Sequence, residues 1–267
     1  MIRLLKSIII SGKIWDWGKN KMTMQFDENG KFVVPEATLE ISPEISKIIE
    51  KAKGFDKKLN KKAYDLALNQ IKEFNKKFPK DKLSDLKFED YLYSNKDSFS
   101  YWVDMNTKEV AHMFHDGFNR EFGVWHSNKD NKYYITSGVN SKNVTEDVAR
   151  RRFEEVKQAI ISMISYINKN SFNDVDEDKT IWHQIKAKII YLYFPDKVLP
   201  FCSKELVREG CEIFGVPFDE NDAIKSNNYL LMKIKKNPIF KEWHTMKLAQ
   251  FIYFLLGKDW HKDVQGE

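Results

Sequence analysis

Cysteine is nearly missing from this chain: Cys202 and Cys211 are the only two. Neither a disulfide framework nor a paired CxxC metal knuckle can be built from them, and a reducing, cytoplasmic setting is expected. Long apolar runs are missing as well. Ser7-Ile8-Ile9-Ile10 is far too short to span a bilayer and leads to Gly12, Asp16 and Lys19 in place of a small-residue cleavage site, so no membrane partner is expected. There is no G-x-x-x-x-G-K-[ST] phosphate loop; the pairs Gly12-Lys13, Gly18-Lys19, Gly30-Lys31 and Gly257-Lys258 all lack its spacing. A nucleotide-driven motor is therefore excluded. Internal repeats and low-complexity tracts are absent too.

What remains is a folded chain of 267 residues, 42% hydrophobic with mean hydropathy −0.56, long enough for one large or two modest domains. The net charge of +5 is mild, but it is unevenly spread. Residues 1–97 hold 20 Lys and Arg against 15 Asp and Glu, residues 98–180 hold 11 against 13, and residues 181–267 hold 13 against 11. The front third thus equals the whole excess. Lys57, Lys58, Lys61 and Lys62 are its candidate phosphate contacts, against the plainer reading of lysines on solvated helix faces.

The pattern predicts an α+β chain. Ser7–Ile10, Ile14–Trp17 and Lys31–Val34 read as short strands. Ser42-Pro43-Glu44 opens a helix that stops at Gly54, a second helix runs from Lys61 to Phe78 ahead of Pro79, and a shorter one covers Ser84–Tyr93. Alternation then predicts a three-stranded antiparallel meander through Phe99–Val103, Phe122–Trp125 and Tyr133–Thr136. Asn143-x-x-Glu146 resembles a capping box. Ala149, Phe153, Val156, Ile160, Met163, Ile164 and Ile167 mark a long amphipathic helix packed on that sheet. The acidic stretch 173–179 is the expected boundary. It separates an α+β domain over 1–172, with 1–97 unassigned and 98–172 holding the meander and long helix, from an all-helical domain over 180–257. Helices are expected there at about 181–193, from the Ser203 cap to Phe214, at 219–236 and at 241–256.

No catalytic residue, metal site or cofactor is assigned. Glu155-x-Lys157 and Glu177-x-Lys179 are the nearest fragments of a nuclease carboxylate cluster, and one sits on a solvated helix face while the other sits in a linker. His112-x-x-His115 with His126 has no further ligand at a finger spacing, and Cys202 reads as a small buried thiol. Arg150-Arg-Arg152 is explained by pairing with nearby acids on its own helix. The aromatic residues say more. Trp15-Asp16-Trp17 puts two indoles on one side of a strand and a carboxylate on the other, the walls and acceptor needed to hold an extruded base. Trp102, Trp125 and Tyr134 form a second set on the sheet face turned away from the long helix. Core packing is the plainer reading of both sets. Arg120, just ahead of the second strand, is a candidate for a phosphate or base edge.

Ser98-Phe-Ser-Tyr-Trp-Val-Asp-Met-Asn-Thr-Lys108, Phe122-Gly-Val-Trp125, Lys188-Ile-Ile-Tyr-Leu-Tyr-Phe-Pro-Asp-Lys-Val-Leu-Pro-Phe-Cys-Ser203 and the helical stretch Asn228 to Leu256 carry a resemblance. Together they are similar to the region upstream of the GTPase module in McrB-like modification-dependent restriction proteins. It covers residues 98–256 and contains no catalytic motif. Where that region has a glycine-rich step before its second strand, this chain has His112-Met-Phe-His-Asp-Gly117. The resemblance implies a non-catalytic module, a fragment or a stand-alone relative, that binds double-stranded DNA carrying a modified base. A GTPase module and a nuclease subunit would be its partners in phage defence. The rival is a protein-interaction adaptor whose aromatics are all core, with an unrecognised hydrolase third.

Overall fold

The computed structural model describes residues 8–10, 13–15, 25–26, 32–33, 43–111, 118–137, 140–173 and 175–260. Backbone contacts divide the chain into two compact units, 1–43 and 44–267. In the first unit, β1 (Ile8–Ile10) pairs antiparallel with β2 (Lys13–Trp15), with Ile8 opposite Trp15. Three consecutive β-branched isoleucines suit that extended backbone. A second hairpin joins β3 (Gln25–Phe26) to β4 (Phe32–Val33).

α1 (Pro43–Lys53) starts on the last residue of the first unit and leads into the second; its proline occupies the first helical position and gives up an N–H that has no partner there anyway. α2 (Lys61–Lys77) starts where the Asn60 side chain accepts from the Ala63 N–H at 3.1 Å. It buries Ala63, Ala67, Ile71 and Phe74 along one face, and Pro79 follows its end. The helix expected over Ser84–Tyr93 is shorter. Leu86 is extended, which separates a 3-10 turn at Lys80–Asp85 from the single turn α3 (Phe88–Tyr91).

The first expected strand of the meander is helical. α4 (Phe99–Tyr101) runs into a π-helical turn at Trp102–Asn106. Ser98 Oγ accepts from the Tyr101 N–H at 3.2 Å, and Thr107 Oγ1 donates back to the Val103 carbonyl at 2.7 Å, closing both ends. Phe99 and Val103 are four apart, so a helical turn buries both as well as an alternating strand would. The observed sheet is β5 (Val124–Ser127), β6 (Lys132–Ser137) and β7 (Asn140–Val144), antiparallel in that order. Asn131, at φ 55°, makes the β5–β6 turn in the left-handed region that asparagine tolerates.

α5 (Glu146–Asn168) buries Ala149, Phe153, Val156, Ile160, Met163, Ile164 and Ile167, the seven residues its periodicity marks. Its cap is Thr145, so the box at Asn143 is not used; Asn143 sits in β7, paired with Tyr134. The sheet lies against α5 at Gly123. That residue has φ +83°, and a Cβ there would fall 2.9 Å from Val156 Cγ2 and 3.0 Å from the Thr180 carbonyl oxygen. Only glycine fits both demands.

The remaining helices are α6 (His183–Tyr193), α7 (Lys204–Phe214), α8 (Ala223–Lys235), α9 (Pro238–Lys241) and α10 (Thr245–Leu255). Ser203 caps α7 as expected, accepting from the Glu205 N–H at 3.1 Å. The helix expected over 241–256 starts later, at Thr245, where His244 caps α10 after α9 has ended at Lys241. Two apolar cores form. One gathers α2 to α6 with the sheet, and Ile185, Ile189, Ile190 and Leu192 of α6 lie within it. The other begins at Leu199, takes in α7 to α10, and recruits Ile48, Ala52 and Phe55 from the front of the unit.

The acidic stretch before α6 is only partly solvated: Asn173, Glu177, Asp178 and Lys179 are exposed. Val175 and Asp176 are buried, and Asp176 accepts from the Ile224 N–H of α8 at 2.9 Å. Its charge is met by partners, which is how a carboxylate can enter the interior. Among the described residues, no helix is long and apolar enough to cross a membrane.

Candidate nucleic-acid interface

Strand pairing sets Trp125 of β5 opposite Tyr134 of β6, and Tyr134 opposite Asn143 of β7. Side chains opposite one another share a face, so the three form a row across the sheet. The Trp125 and Tyr134 rings stack with centroids 4.4 Å apart and planes 10° apart. Around them the same face carries Ser127 opposite Lys132 and Thr136 opposite Ser141, the last two hydroxyls 3.3 Å apart. An aromatic pair thus sits in a polar field of side chains able to donate or accept hydrogen bonds.

The Tyr134 hydroxyl donates to Asp130 Oδ2 at 2.5 Å. That bond raises the phenol's pKa and lowers the carboxyl's, since each partner is held in its bonded protonation state. The Trp125 indole N–H is enclosed and has no hydrogen-bond partner among the described residues. The opposite face is closed: His126 packs on Tyr133 at 4.8 Å, and Tyr133 reaches Phe88 of α3 at 5.7 Å.

Trp102 does not join this row, because its segment is helical. It lies half-buried against α2, 6.3 Å from the Phe78 ring and 5.2 Å from Lys77 Nζ. The second aromatic set is therefore two residues, Trp125 and Tyr134, extended by Asn143. Of the first set, Trp15 belongs to β2, whereas Asp16, Trp17 and the Trp15 side chain lie outside the described residues.

Arg120 is exposed on the 3-10 turn Phe118–Phe122 that feeds Gly123 and β5. Beside it stands a residue the sequence did not single out. Trp182 donates its backbone N–H to the Glu121 carbonyl at 3.4 Å and is 37% exposed as a residue, with no ring stack among the described residues. It also precedes α6 where Ser, Thr, Asp or Asn is usual, a signal legible in the sequence. Lys57, Lys58, Lys61 and Lys62 are all exposed and make no ion pair among the described residues.

The other charged motifs are engaged. Arg150 lies 2.6 Å from both Glu146 and Glu89 and stacks over Phe88 at 4.6 Å, and Arg152 pairs with Glu155 at 2.7 Å. Lys157 pairs with Glu154 at 2.9 Å, so neither half of Glu155-x-Lys157 is uncommitted. Cys202 and Cys211 are buried, which pushes both thiols up to about 12. His112 and His115 lie outside the described residues, among which no group of three His, Cys, Asp or Glu is placed to hold a metal ion.

No protein-family model, no curated protein and no solved structure matches the chain.

Proposed function

We propose that this chain is a non-catalytic, cytoplasmic DNA-recognition module of a McrB-like restriction system, binding double-stranded DNA that carries a modified base. The observation that carries the reading is the Trp125–Tyr134 stack on a polar sheet face. The half-exposed rings can take an extruded base, while Asn143, Ser127 and Lys132 offer donors and acceptors to the base edge. Arg120, at the entry to β5, suits a phosphate or base-edge contact. A GTPase module and a nuclease subunit would supply energy and cleavage.

The test is fluorescence anisotropy on duplexes that are unmodified, methylated or hydroxymethylated, each over a range of salt. One modified duplex should bind most tightly, and log K should fall linearly with log salt as phosphate contacts release counterions. Affinity that ignores salt, or no binding to any duplex, contradicts the proposal and favours the adaptor reading.

A further inference from the structure

The corner between α1 and α2 is fixed against α10. The Phe55 ring lies 5.0 Å from Phe251 and 5.6 Å from Phe254, and the Asn60 N–H donates to Gln250 Oε1 at 3.0 Å. This holds Lys58 beside the end of α10, with Lys57, Lys61 and Lys62 exposed on the same corner. Lys58 Nζ lies 5.9 Å from the Phe254 ring, which is 36% exposed. Lys247 adds a fifth cation, 3.9 Å from the Trp243 ring, and it occupies Asp56 at 2.5 Å. Asp65, a turn further along α2, makes no ion pair among the described residues.

α5 shows how charges are paired elsewhere in this chain, signs interleaved: Arg150 with Glu146 on the surface, and Arg152 with Glu155 and Lys157 with Glu154 where the cations are partly buried. The α1–α2 corner differs. Four lysines within six residues repel one another without an acid between them, and an exposed phenyl ring stands beside one of them, Lys58. A polyanion relieves the repulsion, and one bearing flat rings or sugars also covers the phenyl.

We infer that the α1–α2 corner and the end of α10 form a nucleic-acid backbone grip, with Lys57, Lys58, Lys61 and Lys62 on phosphates and Phe254 against a sugar or base. The inference rests on the reading that the chain binds DNA, but it uses a surface other than the sheet face. Its two contributions are separable: the grip supplies affinity to any sequence, and the sheet face supplies preference.

The experiment compares the full chain with a quadruple variant (Lys57→Gln, Lys58→Gln, Lys61→Gln, Lys62→Gln), with Phe254→Ala and with Tyr134→Ala, using anisotropy on one modified and one unmodified duplex between 50 and 200 mM salt. The quadruple variant should bind both duplexes more weakly, keep the preference, and lose up to about 0.9 of log-log salt slope for each phosphate contact removed. Phe254→Ala should weaken both duplexes roughly fivefold or more with the slope kept. Tyr134→Ala should leave the slope unchanged. An unchanged slope in the quadruple variant overturns the grip even if the unaltered chain prefers modified DNA, whereas normal slopes without any preference overturn the sheet-face reading alone. Binding to phosphatidylserine vesicles that the quadruple variant abolishes, with duplex binding unaffected, assigns the surface to a membrane and overturns the grip.

Discussion

The ammonium of Lys188, fully enclosed on α6, donates to the backbone carbonyl of Asp104 at 3.1 Å and to no other acceptor among the described residues. It thereby ties α6 to the π-helical turn at Trp102–Asn106, whose Asp104 carboxylate accepts from Tyr93 at 2.5 Å. Three N–H donors served by one acceptor make this an expensive charge, and burial pushes Lys188 down to about 8.

Lys188→Met should therefore stabilise the fold at neutral pH. A depression of this size corresponds to about 3 kcal/mol, reduced in practice by the loss of the bond to Asp104. Below about pH 8 native and unfolded chains both carry the proton, and the full penalty applies. Between there and the ordinary lysine range the native state sheds it first, so the unaltered protein gains stability as pH rises and the variant's advantage fades. Urea midpoints of the two proteins from pH 6 to 10 check this; an advantage that is flat with pH counts against a buried charge.

Gly123→Ala should destabilise by about 2–4 kcal/mol, because the added methyl meets Val156 and the Thr180 carbonyl while the backbone stays at positive φ. Thermal melting reads it directly. A midpoint near that of the unaltered protein would mean the sheet does not press on α5 there.

Asp176 is a clasp. Burial alone would raise its carboxyl, but the His183 Nδ1 contact at 2.6 Å and the Ile224 N–H at 2.9 Å outweigh burial and hold it below the usual carboxylate range. The stability it contributes is present above about pH 4, the unfolded value, and is lost as pH falls through the lower native one. Asp176→Asn should lose about 2 kcal/mol at pH 7, a difference that closes in acid. Limited proteolysis should then cut within 175–180 sooner than in the unaltered chain. Equal cutting rates would leave the stretch without a clasp.

Much of this fold is legible in the sequence where one period dominates. α5 repeats its apolar residues over about five turns, and the residues so marked are the ones buried. The Ser203 cap and the proline ahead of Glu44 gave α7 and α1 their starts for local reasons. The Phe99–Val103 segment misleads because two residues four apart satisfy strand and helix alike, and the Ser98 and Thr107 hydroxyls decide for the helix. β7 shows no alternation, since Asn140, Ser141, Lys142 and Asn143 are all exposed on an edge strand.

At the candidate interface, the facing of Trp125 and Tyr134 is legible because alternation marks both of their strands. Trp102 leaves the row because its segment is helical, and Trp182 is marked in the sequence only by its place ahead of α6, its contact with Glu121 coming from the fold. The α1–α2 corner meets α10 across 190 residues, a contact that no local pattern encodes.

The most direct measurement is the ratio of affinities for modified and unmodified duplex in Tyr134→Ala, taken with its melting temperature. Tyr134 is half-exposed on its sheet face, and its truncation removes a cross-strand pair worth roughly 0.2–1 kcal/mol, so the melting temperature should move little. Stacking on a base is worth about 1–3 kcal/mol, and the preference should fall roughly fivefold to more than a hundredfold while salt-dependent binding to both duplexes persists. A folded variant that keeps the full preference would contradict the assignment of the sheet face as the reader.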